Sequence, residues 1–145
     1  MNDKELVSKV RSSMYGQCRS RGYAAPVDVL IDVGILSKQK CEEWRFGKVP
    51  FLEAVCNINL HKLSLVLRVM RQYASQQGLK ASFMYYKRWG AKKHGHKVTI
   101  PLRFTKSGNP EIEKLYATHY VDPERVRQKE VYSKEEDDGD IDMRA

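Results

Sequence analysis

Between Lys80 and Lys106 eight cationic side chains (Lys80, Lys87, Arg88, Lys92, Lys93, Lys97, Arg103, Lys106) interleave with five aromatic rings (Phe83, Tyr85, Tyr86, Trp89, Phe104). Cations beside exposed rings are the chemistry of nucleic-acid binding. Ammonium and guanidinium groups neutralise phosphates, and a π-face stacks on a base for ~1–3 kcal/mol each. The stretch lies inside a longer one of the same character. From Ala54 through Pro110, 57 residues pass without Asp or Glu while holding eleven Lys/Arg, where the average acid content of the chain would place about seven carboxylates. Outside that window the balance is 15 cations against 18 acids. A basic surface kept free of its own counter-charge is an electrostatic footprint for a polyanion.

Other chemistries have fewer residues behind them. His94-Gly-His96 has the spacing to begin a metal site, but no Cys, Asp or Glu is near and three lysines surround it, so a cationic loop tip fits better. Cys18, Cys41 and Cys56 have no C-x-x-C spacing and read as small core residues. A metal-independent ribonuclease needs a base, an acid and cations, which Arg103, Lys106, His119 and Tyr120 could supply together. His119 also follows Leu115 and Tyr116 at helical spacing, which fits a core histidine. The chain has no phosphate-cradling glycine loop, no G-x-S-x-G, no H-E-x-x-H, and no carboxylate cluster in the basic region to hold Mg²⁺. No catalytic residue, metal or cofactor is assigned.

The elements that must position the basic residues are mostly helices. Leu6, Val7, Val10, Met14 and Tyr15 line one helical face from Lys4 to Arg19, broken at Gly22. Pro26 opens a short helix ended by Gly34, Ser37 caps a second that runs through Trp44, and Gly47 ends it. Pro50 begins a helical run through Leu52, Val55 and Cys56. Asn59 caps the central helix, carrying Leu60, Leu63, Val66, Leu67, Met70 and Tyr73 to Gly78. On its outer face His61, Lys62, Arg68 and Arg71 read equally as a phosphate rail or a solvated surface. Phe83–Trp89 and Val98–Phe104 are β-branched and aromatic runs flanking a basic loop, a two-stranded β-hairpin at about 82–105 in which Pro101 demands an edge or a bulge. Asn109-Pro110 starts a helix with the face Ile112, Leu115, Tyr116 and His119, and Asp122-Pro123 starts a polar one to about Tyr132. The expected architecture is mainly α (α+β): a single helical domain over 1–132 with a basic hairpin, followed by an acidic tail at 133–145. That tail, net −4 over its last twelve residues, competes internally for the basic face or merely solubilises the chain.

Leu30-Ile-Asp-Val-Gly34-Ile-Leu-Ser37, followed by Trp44-Arg45-Phe-Gly47-Lys48-Val-Pro50-Phe-Leu52, resembles the helix-turn-helix of phage-repressor-like DNA-binding domains over residues 27–53. It has one extra residue between Gly34 and Trp44, and Arg45 where that family carries Glu. The resemblance implies that the second helix enters the major groove with Lys38, Gln39 and Lys40 as base readers. Two helices of an ordinary core, with Trp44 and Phe46 buried, fit the same residues. Over 23–121 the chain also resembles a family of small, uncharacterised bacterial proteins. The matching stretches are Trp44-Arg-Phe-Gly-Lys-Val-Pro-Phe-Leu-Glu53, Leu102-Arg-Phe-Thr-Lys-Ser-Gly108 and Tyr116-Ala-Thr-His-Tyr-Val121. That resemblance implies no activity and no site.

The expected function is nucleic-acid binding. Lys87, Arg88, Lys92, Lys93, Lys97, Arg103 and Lys106 sit on phosphates, and Tyr86 or Trp89 provides the stacking ring. The helix-turn-helix-like segment favours duplex DNA over RNA. The rivals are a toxin-like RNA-cleaving enzyme and an adaptor that docks an acidic protein. Residues 1–6 lack the apolar segment of a secretion signal, and Leu63–Met70, the longest apolar stretch, is interrupted by Ser64 and Arg68 and too short to span a bilayer. The expected compartment is the cytoplasm, with no membrane partner.

Overall fold

The computed structural model describes residues 1–125 and opens on α1 (Asp3–Arg21), whose Leu6, Val10, Met14 and Cys18 recur every fourth residue and are buried. They pack on α4 (Leu60–Gln77), which buries Leu63, Val66, Leu67, Met70, Tyr73 and Ala74. Each helix is started by an asparagine. Asn2 accepts from Glu5 N at 2.8 Å and Asn59 from Lys62 N at 2.9 Å. The outer face of α4 is partly committed: Lys62 Nζ lies 2.6 Å and His61 Nε2 3.4 Å from the Asp3 carboxylate, and hydrogen bonds from both hold that carboxyl below its ordinary pKa. Only Arg68 and Arg71 remain there for a phosphate rail.

Two short helices, α2 (Pro26–Asp32) and α3 (Lys38–Arg45), follow β1 (Tyr23–Ala24). Ser37 caps α3 through Lys40 N at 3.1 Å, as its position predicts. Ala25, at the start of α2, has no capping side chain, and the buried Gln17 amide supplies the acceptor from α1, taking Ala25 N at 3.0 Å and Arg21 Nη2 at 2.7 Å. The helical run expected from Pro50 is instead one 3-10 turn, Leu52–Val55. Tertiary hydrogen bonds end it: Asn57 N donates to Ile35 O at 3.0 Å and its side chain to Gly34 O at 3.1 Å, holding Cys56 extended.

Mainly helical with a small β component is the class the periodicity predicts, but the strands pair differently. β2 (Lys80–Phe83) does not belong to the hairpin. It pairs antiparallel with β5 (Thr118–Val121), which also pairs with β1, giving a three-stranded sheet in the order β1-β5-β2. Helix α5 (Pro110–Tyr116), capped by Asn109, stops before His119, so His119 lies on β5 and not on a helical face. Alternation on that central strand buries Thr118 and Tyr120 on one side and turns His119 to the other. The remaining strands, β3 (Lys92–Lys93) and β4 (His96–Lys97), form the hairpin tip. Asp122 accepts from Glu124 N at 3.0 Å where the last predicted helix begins; the rest of that helix and the 133–145 tail lie outside the described residues. Among the described residues no helix is long and apolar enough to cross a membrane.

Candidate nucleic-acid interface

The hairpin is an irregular ladder from Tyr86 to Leu102. Leu102 N donates to Tyr86 O at 3.0 Å, Arg88 N to Ile100 O at 2.8 Å and Val98 N to Ala91 O at 3.1 Å, and Pro101, lacking a donor, sits at a single bridge opposite Lys87. At the tip, His94 (φ 52°) and Gly95 (φ 79°) both take the left-handed backbone of a two-residue type I′ turn. This register sets Lys92 opposite Lys97 and Lys93 opposite His96. Like charges facing across a ladder destabilise it. Among the described residues, Lys87, Lys92, Lys93, Lys97 and Lys106 make no ion pair, and all are exposed. Lys87, Arg88, Trp89, Lys92 and Lys97 line a groove of about 380 Å³ along one face of the hairpin.

Two carboxylates that bracket the acid-free window grip the return strand. Glu113 accepts from Phe104 N at 3.0 Å, Thr105 N at 2.7 Å and Thr105 Oγ1 at 2.5 Å. Glu53 accepts from Lys106 N at 3.0 Å and from the Tyr116 hydroxyl at 2.9 Å. The outgoing strand is fixed to the end of α3: Trp89 N donates to Arg45 O at 2.7 Å and Arg88 Nε to Phe46 O at 3.2 Å. Gly47 (φ 75°) has no room for a Cβ because the Arg88 side chain lies across it. The basic ribbon is therefore held at its root by acids and carbonyls, with its tip left to solvent.

The predicted residues divide on this geometry. Lys87, Lys92, Lys93, Lys97 and Lys106 are free and exposed, and Trp89 is 43% exposed beside them. Arg103 is not free: its guanidinium donates to Thr105 O at 2.7 Å and to Lys106 O, stapling its own loop. Arg88 keeps its terminal nitrogens but commits Nε to Phe46. Tyr86 is half-buried with its ring against Trp44 and Phe104, so Trp89 is the better-placed of the two stacking candidates. Lys38, Gln39 and Lys40 are exposed at the start of α3, but Lys40 pairs with Glu43 at 3.6 Å and the exposed Glu42 follows. His94 and His96 stay at the cationic tip. Trp44 is fully buried, whereas Phe46 is exposed and meets Trp89 edge-on at 5.4 Å.

No family model, curated protein or solved structure matches this chain. The site therefore rests on its own chemistry.

A second cluster was not legible in the sequence. His119 stacks on Tyr23 (5.3 Å between centroids, 7° between planes) and its Nε2 lies 2.8 Å from the Tyr86 hydroxyl. Arg103, Lys106 and Tyr120, its proposed partners for RNA cleavage, are elsewhere: Arg103 on its own loop and Tyr120 on the buried face of β5. Burial first, then the Arg21 guanidinium, holds the His119 imidazole below its ordinary pKa, and burial pushes the Tyr86 phenol well up. The arrangement that satisfies both groups is a Tyr86 O–H donating to a neutral His119 Nε2, with the ring proton on Nδ1. Because the folded state lowers this imidazole's pKa, its contribution to stability is full above the unfolded value and is lost as pH falls from about 6.5 through the folded pKa. Arg21, Asp28 and Arg45 are the charged groups facing it. Urea unfolding at pH 7.5 and pH 5 checks this: the midpoint is expected to drop on acidification, and to drop less in His119→Asn.

Thiol chemistry has no support here. Cys18 is buried, Cys41 and Cys56 are half-buried, and desolvation raises all three thiols, Cys56 to about 12.

Proposed function

We propose that this protein binds nucleic acid through the Tyr86–Leu102 hairpin, chiefly by neutralising phosphates, and that it is a binder and not an enzyme. The observation that carries the reading is the tip register, where Lys92 faces Lys97 and Lys93 faces His96 with no carboxylate paired to any of them among the described residues. A folded protein that sets like charges opposite one another carries an electrostatic cost, and a bound polyanion removes it. Lys87, Arg88 and Lys106 extend the cationic surface, and Trp89 offers a ring at its edge. The helix-turn-helix-like α2–α3 pair favours DNA, with Lys38 and Gln39 as the readers best placed to reach bases. Glu42 and Glu43 on the same helix weaken α3 as a groove-reading element and leave the hairpin as the principal contact.

Fluorescence-anisotropy titrations against duplex DNA, single-stranded DNA and RNA of one sequence test the proposal. Micromolar or tighter binding with every probe recovered intact is expected. Cleaved RNA would instead support the nuclease reading, and no binding to any probe would leave the acid-free surface as a docking face for an acidic protein.

A further inference from the structure

Trp89, which lines the basic groove, also lines a second cleft of about 360 Å³, together with Tyr23, Asp28, Arg45, Tyr85, Tyr86 and His119. Arg45 is its unusual member. Its guanidinium carbon lies 4.7 Å from the Tyr86 ring centroid and 4.8 Å from that of Trp89, yet the group makes no hydrogen bond or ion pair among the described residues. The other charges of the cleft are matched. Arg21 holds Asp28 at 2.7 Å while covering the Tyr23 ring at 4.1 Å, and His119 Nε2 lies 2.8 Å from the Tyr86 hydroxyl. One half-buried cation with open donors therefore stands among aromatic faces, with Tyr85 65% and Trp89 43% exposed at the rim. Rings stack on a base, and an aromatic-held guanidinium pairs with a phosphate or with the acceptor edge of a base.

We propose that this cleft is a recognition site for one unpaired nucleotide of single-stranded nucleic acid, whose neighbouring phosphates continue into the basic groove that shares Trp89. The volume suits one small ligand, near the lower end of the ~300–1,000 Å³ usual for such sites. The proposal rests on the hairpin reading and deepens it: the hairpin supplies affinity that is blind to strandedness, and the cleft selects the strand whose bases are free.

The test uses a single-stranded dT12 carrying one 5-iododeoxyuridine, photocrosslinked to the unaltered full chain, with the attachment site mapped by mass spectrometry. Attachment at Trp89, Tyr85, Tyr86 or Tyr23 is expected. Attachment confined to the 92–97 tip or to Phe83, or no binding of dT12, overturns the proposal. In parallel, Arg45→Gln should weaken dT12 binding about tenfold while changing affinity for a dA12·dT12 duplex less than twofold. Equal effects on both probes, or none on either, remove the cleft as a site and leave the hairpin reading standing. Failure of the wild-type protein to bind either probe removes both.

Discussion

Changing Lys92, Lys93 and Lys97 together to glutamate is expected to lower affinity for every nucleic-acid probe by at least a hundredfold and to leave the preference among sequences unchanged. The three side chains sit at the hairpin tip, exposed and without acidic partners among the described residues. Each lost phosphate contact reduces the salt slope by about 0.7–0.9, so the variant should show a slope shallower by roughly two to three. Folding should survive, since none of the three is buried and the Lys92–Lys97 repulsion is replaced by another like-charge pair of the same kind. Lys97→Glu alone sets a carboxylate opposite Lys92, which is expected to stabilise the tip slightly while still weakening binding. Anisotropy titration with far-UV circular dichroism as a folding control checks both. A triple variant that binds as tightly as the wild type would remove the tip from the account.

Trp44→Ala is the substitution with the largest expected cost to stability, about 3–5 kcal/mol from the lost burial and the cavity left behind. Trp44 is fully buried, with Phe104 at 5.2 Å and Tyr86 at 5.8 Å between ring centroids. Its Nε1–H donates to Arg103 O at 2.8 Å, a carbonyl that also accepts from Leu52 N at 3.1 Å. The indole thus joins α3, the 3-10 turn and the root of the hairpin at one point. For a domain whose total stability is ~5–15 kcal/mol, the loss is a large fraction of the whole. Trp44→Phe keeps most of the volume and gives up the hydrogen bond, and should cost about 1–2 kcal/mol. Urea unfolding distinguishes the two, and near-equal midpoints for Trp44→Ala and the wild type would contradict the packing described here.

The helices were legible because their signals are local. Asn59, Ser37 and Asn109 cap where their side chains predict, and Pro26, Pro110, Gly22 and Gly78 punctuate as their backbones require. The tip was legible as a basic loop, but its two short strands and the His94-Gly95 turn between them were not. What the sequence did not disclose depends on long-range pairing. Phe83 looks like the start of a strand running to Trp89, and only pairing with the distant β5 joins it to residues 80–82 instead. Thr118-His-Tyr-Val121 is too short to separate from the helix before it by periodicity, although its β-branched and aromatic content agrees with a strand. The Trp44-Arg45-Phe46-Gly47 stretch acquires a physical meaning: a buried Trp44, Arg45 among aromatic rings, Phe46 against Trp89, and Gly47 beneath Arg88.

The candidate site was half legible for the same reason. Composition marks a cationic surface but cannot tell a free cation from a committed one. Lys97 and Arg103 look alike in sequence, yet one projects from a turn and the other staples its own loop through two carbonyls. The Arg45–Tyr86–Trp89–His119 cluster draws on α3, the hairpin and β5, three elements whose meeting no spacing rule announces. The available signal was the position of Glu53 at the N-terminal border of the acid-free window and of Glu113 shortly past its C-terminal end. Acids kept just outside a basic segment are placed to hold its root.

The central claim is that the hairpin binds a polyanion by displacing its counterions. The measurement that tests it most directly is the wild-type association constant for a 20-base-pair DNA duplex as a function of salt, taken from 50 to 400 mM by anisotropy. With four to six of Lys87, Arg88, Lys92, Lys93, Lys97 and Lys106 on phosphates, the account predicts a log–log slope of roughly −3.5 to −5.5. A slope near zero, or no saturable binding at 50 mM salt, would contradict it.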